Sequence, residues 1–151
     1  MAPRNEVQQQ FDAFGKGAGM LKRSGNWYRV SDEAISVLNL QKSQYSLSYY
    51  VNVGFWIKAL GEERFPKEHK CHVRVRLGDL VPDRTEEVTA LLDLVHEFPG
   101  RIERLHDLLE GQTKPFLDRA SSLDGLRLLR REGRLTEAFI LSPAVALLRA
   151  A

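Results

Sequence analysis

Residues 39–54 read NLQKSQYSLSYYVNVG, and residues 71–77 read CHVRVRL. In both stretches polar and apolar side chains alternate one by one, which is the pattern of a β-strand with one face on a core. The core-facing set of the first stretch includes Tyr49, Val51 and Val53, and Phe55 and Ile57 continue it. The two stretches therefore predict the sheet around which the chain folds.

A four-stranded sheet follows from the surrounding sequence. The predicted strands cover residues 26–30, 34–43, 47–60 and 71–79. Ser24-Gly25 is a turn pair before the first strand, and the polar, proline-containing stretch 61–70 is a loop. Because short connections favour antiparallel neighbours, we predict an antiparallel meander.

The second strand does not alternate cleanly. Ile35 and Val37 share a side with Asn39 and Gln41, whereas Leu38 and Leu40 lie opposite. A β-bulge that switches the two sides partway along the strand would reconcile this pattern.

Helical patterns flank the predicted strands. Val7, Phe11 and Phe14 predict an amphipathic helix over residues 6–16, which Gly15, Gly17 and Gly19 end. These glycines do not predict a phosphate-binding loop, because they follow a helix and lack the Lys-Ser/Thr ending of such loops.

The C-terminal part returns to helical spacing. Thr85 is the expected N-cap of a helix that Pro99-Gly100 ends, and Gly111 is expected to stop a second helix. The apolar residues of these two helices are Val88, Leu91, Leu92, Val95, Ile102, Leu105, Leu108 and Leu109. Two further helical patterns cover residues 116–129 and 135–148.

Segregated strands and helices predict an α+β domain, with a four-stranded antiparallel β-meander and helices packed on one face of the sheet. We expect a single domain over residues 1–151. Its parts are an N-terminal helix and turn (1–21), the sheet (22–80) and a helical region (81–151).

Composition narrows the class of protein. The 151 residues carry 22 Lys and Arg against 20 Asp and Glu, and this small excess does not predict a nucleic-acid partner. The single cysteine cannot form an intramolecular disulfide, and neither a secretory signal nor a membrane span is recognisable. We therefore expect a cytoplasmic protein without a membrane partner.

The polar face of the third and fourth strands is the candidate ligand-binding surface. It brings together Tyr50, Asn52, Trp56, His72, Arg74 and Arg76. Arginines and an imidazole beside aromatic rings suit a carboxylate, a phosphate or a nucleic-acid strand. The alternatives are an ordinary solvated sheet face, or a face that the N-terminal helix covers.

No catalytic residue, cofactor or metal site is predicted. Adjacent side chains on a strand point to opposite faces, so Cys71 and His72 cannot form a thiol–imidazole pair, and we expect Cys71 to be buried. His69, His72, Glu62 and Glu63 lack the spacing of zinc ligands, and His96 and His106 are expected on separate helices.

The succession GNWYRV, NLQKSQYSLSYYVNVG and CHVRVRL resembles a bacterial family catalogued as domain of unknown function 4304. The matching residues are Trp27, Leu40, Gln41, Lys42, Ser43, Tyr50, Asn52, Gly54, His72 and Leu77. The resemblance covers residues 11–80 and implies no activity or catalytic residue. It implies that Gln41, Lys42, Ser43, Asn52 and His72 act together, either as a site or by satisfying buried polar groups.

Two functions remain open from the sequence. The first is a non-enzymatic module that binds a protein partner, as an immunity- or defence-type protein does. The second is a surface that binds an anion, a nucleotide or a nucleic-acid strand through His72, Arg74 and Arg76, with stacking on Tyr50 or Trp56. An enzyme that uses the same surface is a third and more distant reading.

Overall fold

A computed structural model describes residues 3–149 as one six-stranded antiparallel sheet with helices on one face. The strands are β1 (Leu21–Arg23), β2 (Asn26–Val30), β3 (Ala34–Lys42), β4 (Tyr49–Ile57), β5 (Val73–Arg76) and β6 (Phe139–Ile140). Their order in the sheet is their order in the chain. The predicted α+β meander is confirmed, but the sheet has six strands and not four.

The two additional strands lie at the edges of the sheet. β1 pairs with β2 through the turn at Ser24 and Gly25, whose φ angles are both positive (51° and 81°), as in a type I′ hairpin. All three residues of β1 are exposed, so no alternation marks the strand. β6 has only two residues and comes from the region that was predicted to be purely helical.

The predicted bulge in the second strand is wrong. β3 and β4 pair without interruption from Ala34–Ile57 to Lys42–Tyr49. The first five residues of β3 are all buried, because both faces of the sheet are covered at this point. Burial on both faces, and not a switch of sides, explains the irregular pattern of Ile35 and Leu38.

The fourth predicted strand is shorter than expected. β5 begins at Val73, and Leu77 already starts a helix, so Cys71 and His72 precede the strand. The His72 N–H donates to the Phe55 carbonyl at 3.1 Å, and the His72 carbonyl accepts from the Leu141 N–H at 2.9 Å.

The helices are α1 (Glu6–Gly17), α2 (Leu77–Leu80), α3 (Thr85–Leu91), α4 (Arg101–Leu108), α5 (Lys114–Arg119), α6 (Leu123–Arg131) and α7 (Ser142–Arg149). Short 3₁₀ turns cover Lys58–Leu60, Glu68–Lys70 and Pro82–Arg84. No helix within residues 3–149 has both the length and the apolar character needed to cross a membrane.

Three predicted helix boundaries are wrong. Thr85 is not the N-cap of α3, since its hydroxyl donates to the Gly78 and Pro82 carbonyls. α3 already ends at Leu91, well before Pro99-Gly100. Gly111 does not stop a helix, because a π-helical turn (Leu109–Thr113) carries α4 directly into α5.

The main core lies between one face of the sheet and the helices. Phe55 of β4 is fully buried and stacks on Phe116 of α5, with ring centroids 5.9 Å apart. Val7, Phe11 and Phe14 of α1 are buried as predicted, whereas Val95 and Ile102 of the predicted stripes are exposed.

A smaller core lies on the opposite face of the sheet. Residues 58–72, which we call the roof segment, fold back over this face. The buried members of the smaller core are Tyr28, Ile35, Val37 and Cys71, and Trp56 and Phe65 pack against them. The roof segment covers the half of the predicted polar face that contains Gly54 and Trp56, and it leaves open the half that contains Asn52 and Arg76.

Candidate functional site

The open half of the polar face is organised around a row of side chains that crosses four strands. Asn26 of β2 is the register partner of Asn39, Asn39 is the partner of Asn52, and Asn52 is the partner of Arg76. Neighbouring strands are about 4.8 Å apart, which is close enough for amide side chains to bond directly. We call these four residues the amide row.

Hydrogen bonds in the amide row all run in one direction. The Asn52 amide donates to Asn39 Oδ1 at 3.0 Å and to Gln41 Oε1 at 2.9 Å. The Asn39 amide donates in turn to Asn26 Oδ1 at 2.7 Å. The row therefore ends in a donor, the Asn26 amide, on the side of the β1–β2 hairpin.

The amide row forms the floor of three adjoining cavities of about 360, 650 and 290 Å³, which together we call the trough. The first cavity lies at the β1–β2 hairpin and shares Asn39, Glu68 and His69 with the second. The second shares Arg76 and Asp79 with the third, which reaches α3. The trough thus runs across the strands from the hairpin to α3.

Charges of both signs line the trough. The basic residues are Arg23, Lys67, Arg74 and Arg76, and the acidic residues are Glu68, Asp79 and Glu137. Arg74 Nε lies 3.3 Å from Glu68 Oε1, so this pair is neutralised internally. The Arg76 guanidinium stacks 4.3 Å from the Tyr50 ring centroid.

The trough contains part of the candidate site predicted from the sequence. Gln41, Asn52, Arg74 and Arg76 line its largest cavity, and Tyr50, 43% exposed, lines the cavity near α3. Lys42 lies outside, where its ammonium donates to the Ser43 carbonyl at 3.2 Å. Trp56 and His72 also lie outside the trough.

Trp56 and His72 are engaged with each other and with the backbone. Their ring centroids are 4.2 Å apart, and Trp56 Nε1 donates to the Gly61 carbonyl at 3.0 Å. His72 is buried, and its Nδ1 accepts the Ile57 N–H at 2.9 Å. Both side chains therefore hold the roof segment against the sheet, and neither ring is free to stack on a ligand.

The stability of the protein should depend on the ionisation of His72. Burial lowers the pKa of His72 below its ordinary value of 6.5. The unfolded chain then binds a proton at a pH where the folded protein still keeps the neutral imidazole. This contribution is complete above about pH 6.5 and is lost as the pH falls through that value toward the folded-state pKa.

We expect the free energy of unfolding to fall between pH 7.5 and pH 5.5 in urea titrations, and to fall less in a His72→Asn variant. Asparagine keeps an acceptor for the Ile57 N–H but cannot be protonated. His106→Asn, at an exposed position on α4, is the matched control and should keep the wild-type slope. Equal pH dependence in the wild type and His72→Asn would contradict this role.

Cys71 is buried, as the sequence predicted, and packs against the polar-face side of the sheet. Burial raises the pKa of the thiol to about 12. Because the ordinary value is 9.0, the thiolate population at neutral pH falls about a thousandfold. This environment suits a packing residue and not a nucleophile.

The thiol of Cys71 should therefore be inert in the folded protein. We expect a disulfide reagent such as dithionitrobenzoate to react at the rate of protein opening, at least about a hundredfold slower than with the urea-unfolded chain. Fast labelling of the native protein at pH 7.5 would show that the thiol is accessible and ionisable.

Several residues of the trough were not predicted. Asn26, Asn39, Arg23, Lys67 and His69 line it from the hairpin side, and Asp79, Glu137 and Phe139 line it from the other. Asparagine is depleted in strands, so its recurrence in three predicted strands was an available signal. Within the described part of the chain, no three His, Cys, Asp or Glu residues are grouped to hold a metal ion.

The fold and the trough define an α+β domain with a six-stranded antiparallel sheet and a half-covered polar face. The chain belongs to the family described as domain of unknown function 4304, whose model matches residues 12–119. The match extends the resemblance seen in the sequence to the end of α5, and it includes every trough residue except Glu137 and Phe139. No curated protein and no solved structure matches the chain.

Proposed function

We propose that this protein is a non-enzymatic binding module whose trough takes an extended segment of a protein partner. The observation that carries the proposal is the run of three uncharged asparagine side chains in the amide row, which lies between walls of both charge signs. Amide side chains donate and accept hydrogen bonds, as polypeptide backbones do. The exposed Phe139 at the β6 edge adds an apolar contact beside this polar floor.

The length of the trough supports an extended ligand. The amide row makes three steps between strands, or about 14 Å, and the end cavities add to this. An extended polypeptide rises about 3.3 Å per residue, so about five residues fit along the trough.

The charge pattern favours a polypeptide over a nucleic acid. A nucleic-acid groove combines an excess of cations with exposed aromatic rings on which bases stack. Here four basic residues face three acidic ones, and the Trp56 ring is occupied by His72. Arg76 occupies one face of Tyr50 in the same way.

The module is proposed to be non-enzymatic because the two residues whose chemistry would best suit catalysis are both engaged in the fold. Cys71 is a buried thiol whose pKa is raised, and the His72 imidazole accepts a backbone N–H. An immunity- or defence-type role fits such a module. The near balance of charges in the trough argues for a partner surface that is itself of mixed charge, because a strongly basic partner would require an acidic trough.

Selection of unstructured peptides from a displayed library tests this proposal. We expect synthetic copies of the selected peptides to bind the wild type and to lose at least about tenfold in affinity, or about 1.4 kcal/mol, with Gln41→Trp. The substitution places an indole ring in the largest cavity of the trough, and residue 41 itself is exposed. Leu128→Trp, at an exposed site on α6, is the control and should bind normally.

Two results would contradict the proposal. The first is equal binding of the selected peptides to Gln41→Trp and to the wild type. The second is the absence of peptide binding together with salt-dependent binding of single-stranded oligonucleotides, which would indicate a nucleic-acid surface.

A further inference from the structure

The cavity at the hairpin end of the trough differs from the rest in its charge. It has a volume of about 360 Å³ and lies between the β1–β2 turn and the roof segment. The lining residues that decide its chemistry are Arg23, Asn26, Tyr28, Phe65, Lys67 and Glu68. We call this cavity the hairpin pocket.

The hairpin pocket is positively charged. Arg23 and Lys67 line it, and neither takes part in an ion pair with any residue between 3 and 149. The acidic residue in the lining, Glu68, is largely buried and faces Arg74. Its charge is therefore compensated before a ligand arrives, while those of Arg23 and Lys67 are not.

Aromatic rings hold the Arg23 guanidinium in place. Its central carbon lies 4.2 Å from the centroid of Phe65, which meets Tyr28 edge to face at 5.4 Å. Arg23 also lies next to the tight β1–β2 turn, which fixes its backbone. A guanidinium stacked in this way keeps its planar fork free for an oxyanion.

Neutral donors complete the pocket. The amide row ends here in the Asn26 amide, because each earlier amide in the row already donates toward Asn26. Tyr28 is 4% exposed, and burial raises the pKa of its hydroxyl, although the nearby Asn26 side chain opposes this rise. The hydroxyl therefore stays protonated at neutral pH and remains a hydrogen-bond donor.

We infer that the hairpin pocket is an oxyanion subsite in which Arg23, Lys67, Asn26 and Tyr28 hold a carboxylate or phosphate group. This inference rests on the proposed function, because it assigns the chemistry of one end of the segment that the trough binds. Asp79 and Glu137 line the trough beyond the hairpin pocket, so the anionic group of the ligand lies at the hairpin and its cationic groups lie nearer α3.

Titration with inorganic phosphate and, separately, with acetate tests the subsite without any partner. At constant ionic strength, we expect saturable shifts of the backbone amide resonances of residues 23–26 and 67–69, with a dissociation constant of about 1 mM. Phosphate is expected to bind more tightly if the natural group is a phosphate, and acetate to bind equally well if it is a carboxylate.

The variant Arg23→Gln/Lys67→Gln should weaken the binding of the preferred anion at least about tenfold. Arg131→Gln removes the same type of charge from an exposed position at the end of α6, outside the trough, and should leave binding unchanged. Both Arg23 and Lys67 are exposed, so the double variant is expected to keep the wild-type amide spectrum elsewhere. Shifts that do not saturate, or that persist in the double variant, would overturn the subsite.

Binding of the selected peptides to the double variant distinguishes a failure of the subsite from a failure of the proposed function. Peptides that bind with the same affinity to Arg23→Gln/Lys67→Gln and to the wild type would overturn the subsite and leave the proposed function standing. Anion binding at residues 23–26 and 67–69 in a protein that selects no peptides would overturn the proposed function and leave the subsite standing.

Discussion

Arg101→Ala should lower the free energy of unfolding by about 3 kcal/mol. The Arg101 side chain is 8% exposed and donates three hydrogen bonds to carbonyls. These carbonyls belong to Leu91, Asp93 and His96, at 3.1, 2.7 and 2.8 Å. Alanine would leave all three without their charged donor.

The hydrogen bonds of Arg101 fix the segment between α3 and α4. This segment in turn forms backbone hydrogen bonds with the residues at the start of β4. The Tyr49 N–H donates to the Leu92 carbonyl, and the Leu94 N–H donates to the Leu47 carbonyl. Loss of the arginine is therefore expected to loosen both segments, and amide hydrogen exchange of Tyr49 and Leu94 should accelerate along with the loss of stability.

Arg104→Ala is the matched control for Arg101→Ala. Arg104 lies one turn later on α4, is 53% exposed and forms a surface ion pair with Glu87, a class of interaction that contributes at most about 1 kcal/mol. Denaturant unfolding measures both variants. A cost for Arg101→Ala no greater than that for Arg104→Ala would contradict the structural role given to the buried arginine.

Gly54→Ala should destabilise the protein by about 2 kcal/mol, because the roof segment lies directly on this glycine of β4. A Cβ atom at residue 54 would lie 2.8 Å from Cys71 Sγ and 3.0 Å from Cys71 Cβ. It would also lie 3.4 Å from Glu68 Cγ, so the roof segment must shift at the wall of the trough.

A double-mutant cycle tests the contact of Gly54 with Cys71. We expect Cys71→Ala to recover part of the stability lost in Gly54→Ala, because it removes the nearest atom. Gly17→Ala is the control: no atom lies within 4 Å of its added Cβ, and alanine favours the helix. Thermal unfolding gives the comparison, and additive losses in the double variant would contradict the contact.

The alternation of polar and apolar residues predicted β4 correctly, because successive side chains of this strand point to opposite faces of the sheet. In β4 the residues from Tyr49 to Ile57 on the core side are buried, as their spacing required. The short connections between the predicted strands correctly indicated that their order in the sheet follows their order in the chain. The helical spacing of three apolar residues likewise predicted α1, and all three are buried.

The parts that the sequence did not predict depend on contacts between distant segments. β1 and β6 are short edge strands, and their pairing partners, not their own side chains, define them. Alternation placed His72 on the polar face, yet Trp56 and the backbone of β4 and of Leu141 enclose it. Cys71 was expected to lie on the face opposite His72, yet it packs on the polar-face side of the sheet, because the strand begins only at Val73.

The candidate site was predicted in part for a similar reason. Asn52, Arg74 and Arg76 could be grouped from two predicted strands, and Gln41 was added by the resemblance to the family. The register that aligns Asn26 and Asn39 with Asn52 could not be read from alternation, since a strand pattern gives the face of a residue but not its partner. The basic residues of the hairpin pocket come from an edge strand and a loop, which carry no periodic signal.

The measurement that tests the trough most directly is photo-crosslinking in cells that produce the protein. A benzophenone amino acid in place of Phe139 would present the reactive group at the wall of the trough, and the same substitution of Leu128 on α6 would be the control. The account predicts a discrete protein adduct from position 139, mapped by mass spectrometry to one short segment of a partner, and none from position 128. Adducts with nucleic acid alone from position 139, or the same protein adducts from both positions, would contradict it.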